Sequence, residues 1–78
     1  MEFEKIQEII ADVLNISVHE IKMDSKFVDD LGADSLDIFQ IIMGIEETFD
    51  IEINNTEADK IVTVKEAVEQ IKSAKYNN

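Results

Sequence analysis

The sequence predicts a small all-α protein, a four-helix bundle with three longer helices, one short helix and a long first loop. Apolar residues recur at helical spacing in three segments, and residues typical of helix starts stand before them. "IEI" at 51–53 is the only good alternating apolar pattern, which is too little for a sheet. The 78 residues hold no proline and no glycine-rich linker, so we expect one domain over residues 1–78.

The first helix is predicted at about Glu4–Leu14, because apolar side chains from Phe3 onward recur every three or four residues. Residues 16–34 then follow neither the helical nor the strand period. Within them, "SVHE" (Ser17 to Glu20) has the capping-box pattern and predicts one short helical turn. We expect the apolar residues of this long first loop to hold it against the core.

The clearest helix is predicted at about Ser35–Phe49, with Asp34 as its N-cap and Asp37 at the third helical position. "TEADK" at 56–60 predicts the short helix, with Thr56 as N-cap. The last helix is predicted to start from a second capping box, formed by Thr63 and Glu66. We expect the tail, about residues 74–78, to fray.

The composition argues against several classes of function. A net charge of −11 disfavours nucleic acids and anionic membrane surfaces as partners, since both are bound through Lys and Arg. Residues 24–59 alone carry eleven acids and one base, which favours a partner with a basic surface. No apolar run has the length of a membrane span, and "MEFEKIQE" does not have the pattern of a signal peptide. We therefore expect a cytoplasmic protein without stable membrane insertion. We also expect it to be a monomer.

The helix predicted after Asp34 carries two apolar stripes. The first is typical of a core face. The second lies beside it, and acidic residues border it. Either the third and fourth helices cover the second stripe, or it is an exposed strip that receives another protein, and the concentration of charge favours the second interpretation. The core stripe comprises Ile38, Ile41, Ile42, Ile45 and Phe49, and the second stripe comprises Leu36, Phe39 and Met43 with Glu46 and Glu47 at its borders.

Ser35 stands at the head of this helix without a structural reason, because Asp34 already serves as the cap. Nucleophilic catalysis needs a base near the serine, and the only histidine, His19, lies in the first loop. The carboxylates around Ser35 do not have EF-hand spacing, so we expect no dedicated metal site. The residues indicate a presented hydroxyl rather than an enzyme's active site.

The string "LGADSLD", followed by an apolar helix, "EETFDIEI" and "TEADKI", closely resembles the acyl carrier proteins. The resemblance covers essentially the whole chain and is most specific from Phe27 to Val64. It implies that a separate phosphopantetheinyl transferase attaches 4′-phosphopantetheine from coenzyme A to Ser35. It also implies a non-catalytic carrier of acyl chains as thioesters on the thiol of that arm, in a chain that has no cysteine of its own.

The resemblance further implies two sets of residues around Ser35. Fatty-acid synthesis enzymes with basic docking patches would contact the helix after it, and the helical bundle would shelter the acyl chain. The recognition residues would be Asp34, Leu36, Asp37, Phe39, Met43, Glu46 and Glu47. The acyl cavity would be lined by Ile38, Ile41, Ile42, Ile45, Phe49, Ile53 and Ile61.

Four positions depart from the usual pattern of the family: Gln40 replaces Glu, Phe39 replaces Val, Gly44 replaces Ala, and Asn54 replaces Pro. They leave open a specialised carrier for a polyketide, peptidyl or cell-wall-related pathway. An alternative from another class is an acidic protein-binding module in which Ser35 is not modified. A hydrolytic enzyme would need a base and a cleft, which the sequence does not offer.

Overall fold

Four α-helices and one 3₁₀ turn make up the fold in a computed structural model that describes residues 2–76. The helices are α1 (Glu2–Leu14), α2 (Ser35–Phe49), α3 (Asn55–Asp59) and α4 (Val64–Tyr76), and the turn is Val18–Glu20. Residues 2–76 contain no strand, only an isolated bridge between Lys26 and Thr63. The predicted all-α bundle with three longer helices and one short helix is confirmed.

Helix α1 packs against both α2 and α4. It buries Ile6 and Ile10 completely, which the apolar spacing predicted, and it begins two residues earlier than expected. The predicted turn after it is also present. The Ser17 hydroxyl accepts a hydrogen bond from the His19 N–H, and the Glu20 carboxylate accepts one from the Ser17 N–H.

The long first loop is held against the bundle, as its apolar residues predicted. Ile21, Phe27 and Ala33 are buried. The Phe27 N–H donates to the carbonyl of Val62 at 3.0 Å, which ties the loop to the segment before α4. The core therefore determines the position of the loop that leads into the start of α2.

Helix α3 corrects one prediction. It begins at Asn55 with Asn54 as its N-cap, so Thr56 is not the cap but lies inside the helix. The Asn54 side chain accepts from the Glu57 N–H at 2.8 Å, and the Glu57 carboxylate accepts from the Asn54 N–H at 3.3 Å. Asparagine is a better cap than threonine, and Asn54 has the glutamate three residues on that completes a capping box.

Helix α4 starts from the predicted capping box. The Thr63 hydroxyl accepts from the Glu66 N–H at 3.3 Å, and the Glu66 carboxylate accepts from the Thr63 N–H at 2.8 Å. The helix continues through Tyr76, into the segment 74–78 that was expected to fray. Asn77 and Asn78 lie outside the described residues. The buried face of α4 includes Val64, Ala67, Val68 and Ile71.

Candidate functional site

The start of α2 is fixed by its two acidic residues, as the sequence predicted. The Asp34 carboxylate accepts a hydrogen bond from the Asp37 N–H at 2.9 Å. In return, the Asp37 carboxylate accepts from the Asp34 N–H at 3.1 Å. This reciprocal capping box satisfies N–H groups that the first turn of a helix leaves unpaired. Ser35 therefore has no part in capping the helix.

Ser35 is exposed, and its hydroxyl makes no hydrogen bond to any residue of the described range 2–76. Three residues before Ser35, Gly32 adopts a left-handed backbone conformation with φ 72°. The Ala33 N–H then donates to the carbonyl of Phe27 at 2.8 Å. The hydroxyl is thus presented at a helix N-terminus, where the helix dipole favours a negatively charged group. An exposed, unpaired hydroxyl in this position fits an ester link to a phosphate.

A groove of about 320 Å³ opens next to Ser35, between α2 and the segment from α3 to Ile61. Aliphatic side chains line its floor, and Ser35 and Asp59 contribute polar atoms. The full lining comprises Ser35, Ile38, Phe39, Ile42, Ala58, Asp59 and Ile61.

Three of the seven residues predicted for an acyl cavity line this groove, namely Ile38, Ile42 and Ile61. Ile41 and Ile45 instead belong to the core of the bundle, where each is 1% exposed. Phe49 is half-buried and packs on the core without reaching the groove. Ile53 lines a separate, mostly acidic groove with Glu46, Glu52, Asn54 and Glu57.

Sequence reasoning missed Ala58, Asp59 and the inner side of Phe39 as lining residues of the groove. The position of Phe39, one helical turn after Ser35, is a signal that could have placed it there. Ala58 and Asp59 reach the groove only because the chain reverses between α2 and α3. No local pattern in the sequence indicates that reversal.

The second stripe of α2 is exposed, so the interpretation in which α3 and α4 cover it is wrong. Leu36 is 63% exposed, Phe39 60% and Met43 43%. Helix α2 buries Ile41, Ile42 and Ile45, and that single face is enough to complete a bundle of this size. We call Leu36, Phe39 and Met43 the exposed strip.

The two glutamates predicted at the borders of the exposed strip differ from each other. Glu47 is exposed. Glu46 is half-buried, and its carboxylate accepts a hydrogen bond from the Ile53 N–H at 2.9 Å. Glu46 therefore has an intramolecular role that its position on α2 did not predict.

The described part of the chain contains neither a cluster of metal ligands nor a membrane-spanning helix. Among residues 2–76, no group of three or more His, Cys, Asp or Glu side chains is placed to hold a metal ion. Over the same residues, none of the helices combines the length and the apolar character needed to cross a bilayer.

Residues 4–71 match the protein family described as "Phosphopantetheine attachment site". The chain is 56% identical over 73 residues to the acyl carrier protein of Clostridium acetobutylicum, covering 94% of this chain and 95% of that relative. It is 48% identical over 71 residues to the acyl carrier protein of a Sulfurovum species, covering 91% and 95% of the two chains.

A solved structure described as an acyl carrier protein from Mycobacterium tuberculosis is similar in fold, with a TM-score of 0.86 and 35% sequence identity. The similarity covers 92% of this chain and 96% of that one. Both the sequence and the fold of nearly the whole chain are therefore shared with acyl carrier proteins. The chain belongs to the family of acyl carrier proteins, whose cofactor is a covalently bound 4′-phosphopantetheine.

Proposed function

We propose that this chain carries acyl groups as thioesters on 4′-phosphopantetheine linked to Ser35, and that it delivers them to the enzymes of fatty-acid biosynthesis as a cytoplasmic monomer. The observation that carries the proposal is the exposed, unpaired Ser35 hydroxyl at the head of α2. Asp34 and Asp37 cap the helix without it, so this hydroxyl is free to be esterified.

The bound group would supply a thiol, which a chain without cysteine otherwise does not have. The start of α2 would hold its phosphodiester through the helix dipole, against repulsion from Asp34 and Asp37. Ile38, Ile42 and Ile61 would offer apolar surface to a short acyl chain. Each Å² of acyl surface removed from water there would contribute about 25 cal/mol.

The exposed strip is the surface we propose for docking partner enzymes, including the phosphopantetheinyl transferase. Its apolar side chains would form the centre of the contact, and the flexible thioether of Met43 can adapt to different partners. The surrounding carboxylates would attract basic patches and speed the encounter. The proposed contact residues are Asp34, Leu36, Asp37, Phe39, Met43, Glu46 and Glu47.

Attachment is tested by incubating the apo-protein with coenzyme A and a phosphopantetheinyl transferase, followed by intact mass measurement. We expect the mass of one phosphopantetheine group to be added to the wild type and none to Ser35→Ala. Ser17→Ala is the matched control, because Ser17 is also an exposed serine near a helix start, and it should be modified fully. An unmodified wild type, or a modified Ser35→Ala, would contradict the proposal.

The assignment to fatty-acid synthesis needs a second experiment. Phe39 and Gln40, both exposed on α2 and both different from the usual residues, favour a specialised pathway as the second candidate. The modified protein should be offered to the acyl-transfer and condensing enzymes of fatty-acid synthesis from its own host. Efficient loading supports the proposal, whereas loading only by polyketide or peptidyl enzymes would assign the chain to a specialised pathway.

A further inference from the structure

Glu46 makes a hydrogen bond within the protein in addition to bordering the exposed strip. Its carboxylate accepts a hydrogen bond from the Ile53 N–H at 2.9 Å, across seven residues of chain. Hydrogen bonds to an ionised carboxylate are about twice as strong as bonds between neutral groups. The side chain of Glu46 therefore fastens the segment after α2 back onto α2.

Ile53 directly precedes Asn54, the residue that caps α3. Fixing the Ile53 backbone thus fixes the point from which α3 begins. From there the chain is held by local bonds, since the Ala58 N–H donates to the carbonyl of Asn54 at 2.9 Å and the Ile61 N–H to that of Ala58 at 3.1 Å. The position of Ile53 therefore determines where the segment 54–61 begins, while the buried Ile61 holds its other end.

Helix α3 has little else to hold it in place. It has five residues and none of them is buried, although Ile53 before it and Ile61 after it are. Within the described residues 2–76, the bond between Ile53 and Glu46 joins the segment 52–61 to α2. Two further bonds flank this segment, from the Ile51 N–H to the carbonyl of Glu46 at 3.2 Å and from the Phe27 N–H to the carbonyl of Val62 at 3.0 Å. A short helix without a buried face owes its position to such anchors.

The groove next to Ser35 has this same segment as one of its walls. Ala58, Asp59 and Ile61 line it from that side, and α2 lines it from the other. The width of the groove is therefore set by how firmly the segment 54–61 is held against α2.

We infer that Glu46 is a positioning residue of the groove beside Ser35: its bond to the Ile53 N–H holds α3 as the far wall against α2. The shelter this wall gives to an acyl chain rests on the proposed function, whereas the positioning itself does not. Glu46 thus has a role distinct from that of Glu47, which is exposed and makes no such bond.

Hydrogen exchange on the apo-protein tests the positioning. In Glu46→Ala, the Ile53 and Ala58 amides should exchange roughly tenfold faster or more, because a bond to a charged acceptor is lost. Glu46→Gln keeps an acceptor oxygen and should show an intermediate rate. Glu47→Ala removes the same charge from the neighbouring position and should exchange as the wild type does. Equal exchange in the two alanine variants at Ile53 and Ala58 would overturn the inference.

The effect on the groove is tested on protein loaded at Ser35 from hexanoyl-coenzyme A by the transferase. Thioester cleavage by hydroxylamine should be faster in Glu46→Ala than in Glu47→Ala, with Glu46→Gln between them. Faster amide exchange with unchanged cleavage would refute the link between Glu46 and the groove. If the wild type cannot be loaded, the proposed function fails, while the exchange result still decides whether Glu46 positions α3.

Discussion

Ile9 and Gly44 are so close that a Cβ atom added to Gly44 would lie only 2.9 Å from the Cγ2 methyl of Ile9. The two residues mark a point of close packing between α1 and α2. Glycine in a helix costs up to about 1 kcal/mol relative to alanine. The close approach of Ile9 gives a structural reason for glycine at this position.

Gly44→Ala should accordingly destabilise the protein or leave its stability unchanged. Overpacking costs about 1–3 kcal/mol, and the gain in helix propensity returns about 1 kcal/mol. In an Ile9→Ala background the obstacle is gone, so the same change should stabilise by about 1 kcal/mol. Urea unfolding of the four proteins measures both effects. Equal effects of Gly44→Ala in the two backgrounds would show that Ile9 does not limit this position.

We expect the charge of Asp50 to destabilise the folded protein. It ends α2 in the left-handed region with φ 56°, and it places a negative charge at the negative end of the helix dipole. Asp50→Asn removes the charge and keeps a residue that tolerates this conformation, so it should stabilise by about 0.3–1 kcal/mol, less in high salt. Asp50→Ala serves as the control, because it also loses the charge but adds backbone strain. A larger gain from alanine than from asparagine would contradict this reasoning.

The Glu66 carboxylate makes the stability of the protein depend on pH. Hydrogen bonds from the backbone N–H groups of Thr63 and Val62 hold the pKa of its carboxyl below the ordinary value for glutamate. The unfolded chain therefore binds this proton more readily than the folded chain does. The stabilisation is fully present above the unfolded pKa of about 4.3, and it is lost as the pH falls through the lower folded pKa.

Glu66→Gln is the comparison that isolates this effect, because glutamine can still complete a capping box. The wild type should be the more stable protein at neutral pH, and its advantage should shrink as the pH drops below about 4.3. Urea unfolding at a series of pH values measures the difference. A difference that stays constant over the whole series would mean that the Glu66 charge does not contribute.

Leu36 should be nearly neutral for stability but important for docking. Because it is 63% exposed, Leu36→Gln should change the free energy of unfolding by no more than about 0.5 kcal/mol. Ile41→Ala, at a residue buried on the same helix, should cost about 2–5 kcal/mol. The kcat/KM of the transferase for Leu36→Gln should fall roughly fivefold or more. Unchanged kcat/KM would remove Leu36 from the proposed docking surface.

The sequence predicted α2 at both ends because the features that define this helix are local. Asp34 and Asp37 lie three residues apart, and the apolar spacing continues to Phe49. The start of α3 was misplaced because Asn54 and Thr56 are both caps by residue type. The glutamate three residues after Asn54 is the local signal that favours Asn54, and the observed bonds agree with it.

The groove was predicted only in part, for a physical reason. Helical spacing places Ile38, Ile41, Ile42 and Ile45 on one apolar face, but it does not say which of them meet α1 and which meet the segment 54–61. Ala58 and the bond from Ile53 to Glu46 depend on the chain reversal after α2, and this reversal joins residues that no local pattern connects.

The most direct measurement is peptide mapping by tandem mass spectrometry of the protein purified from its native host. If Ser35 carries the arm, the peptide that contains "GADSLD" will bear phosphopantetheine or an acylated form of it, with the fragment ions placing the group on Ser35. Phosphopantetheine on another serine, or a Ser35 peptide found entirely unmodified, would contradict the assignment.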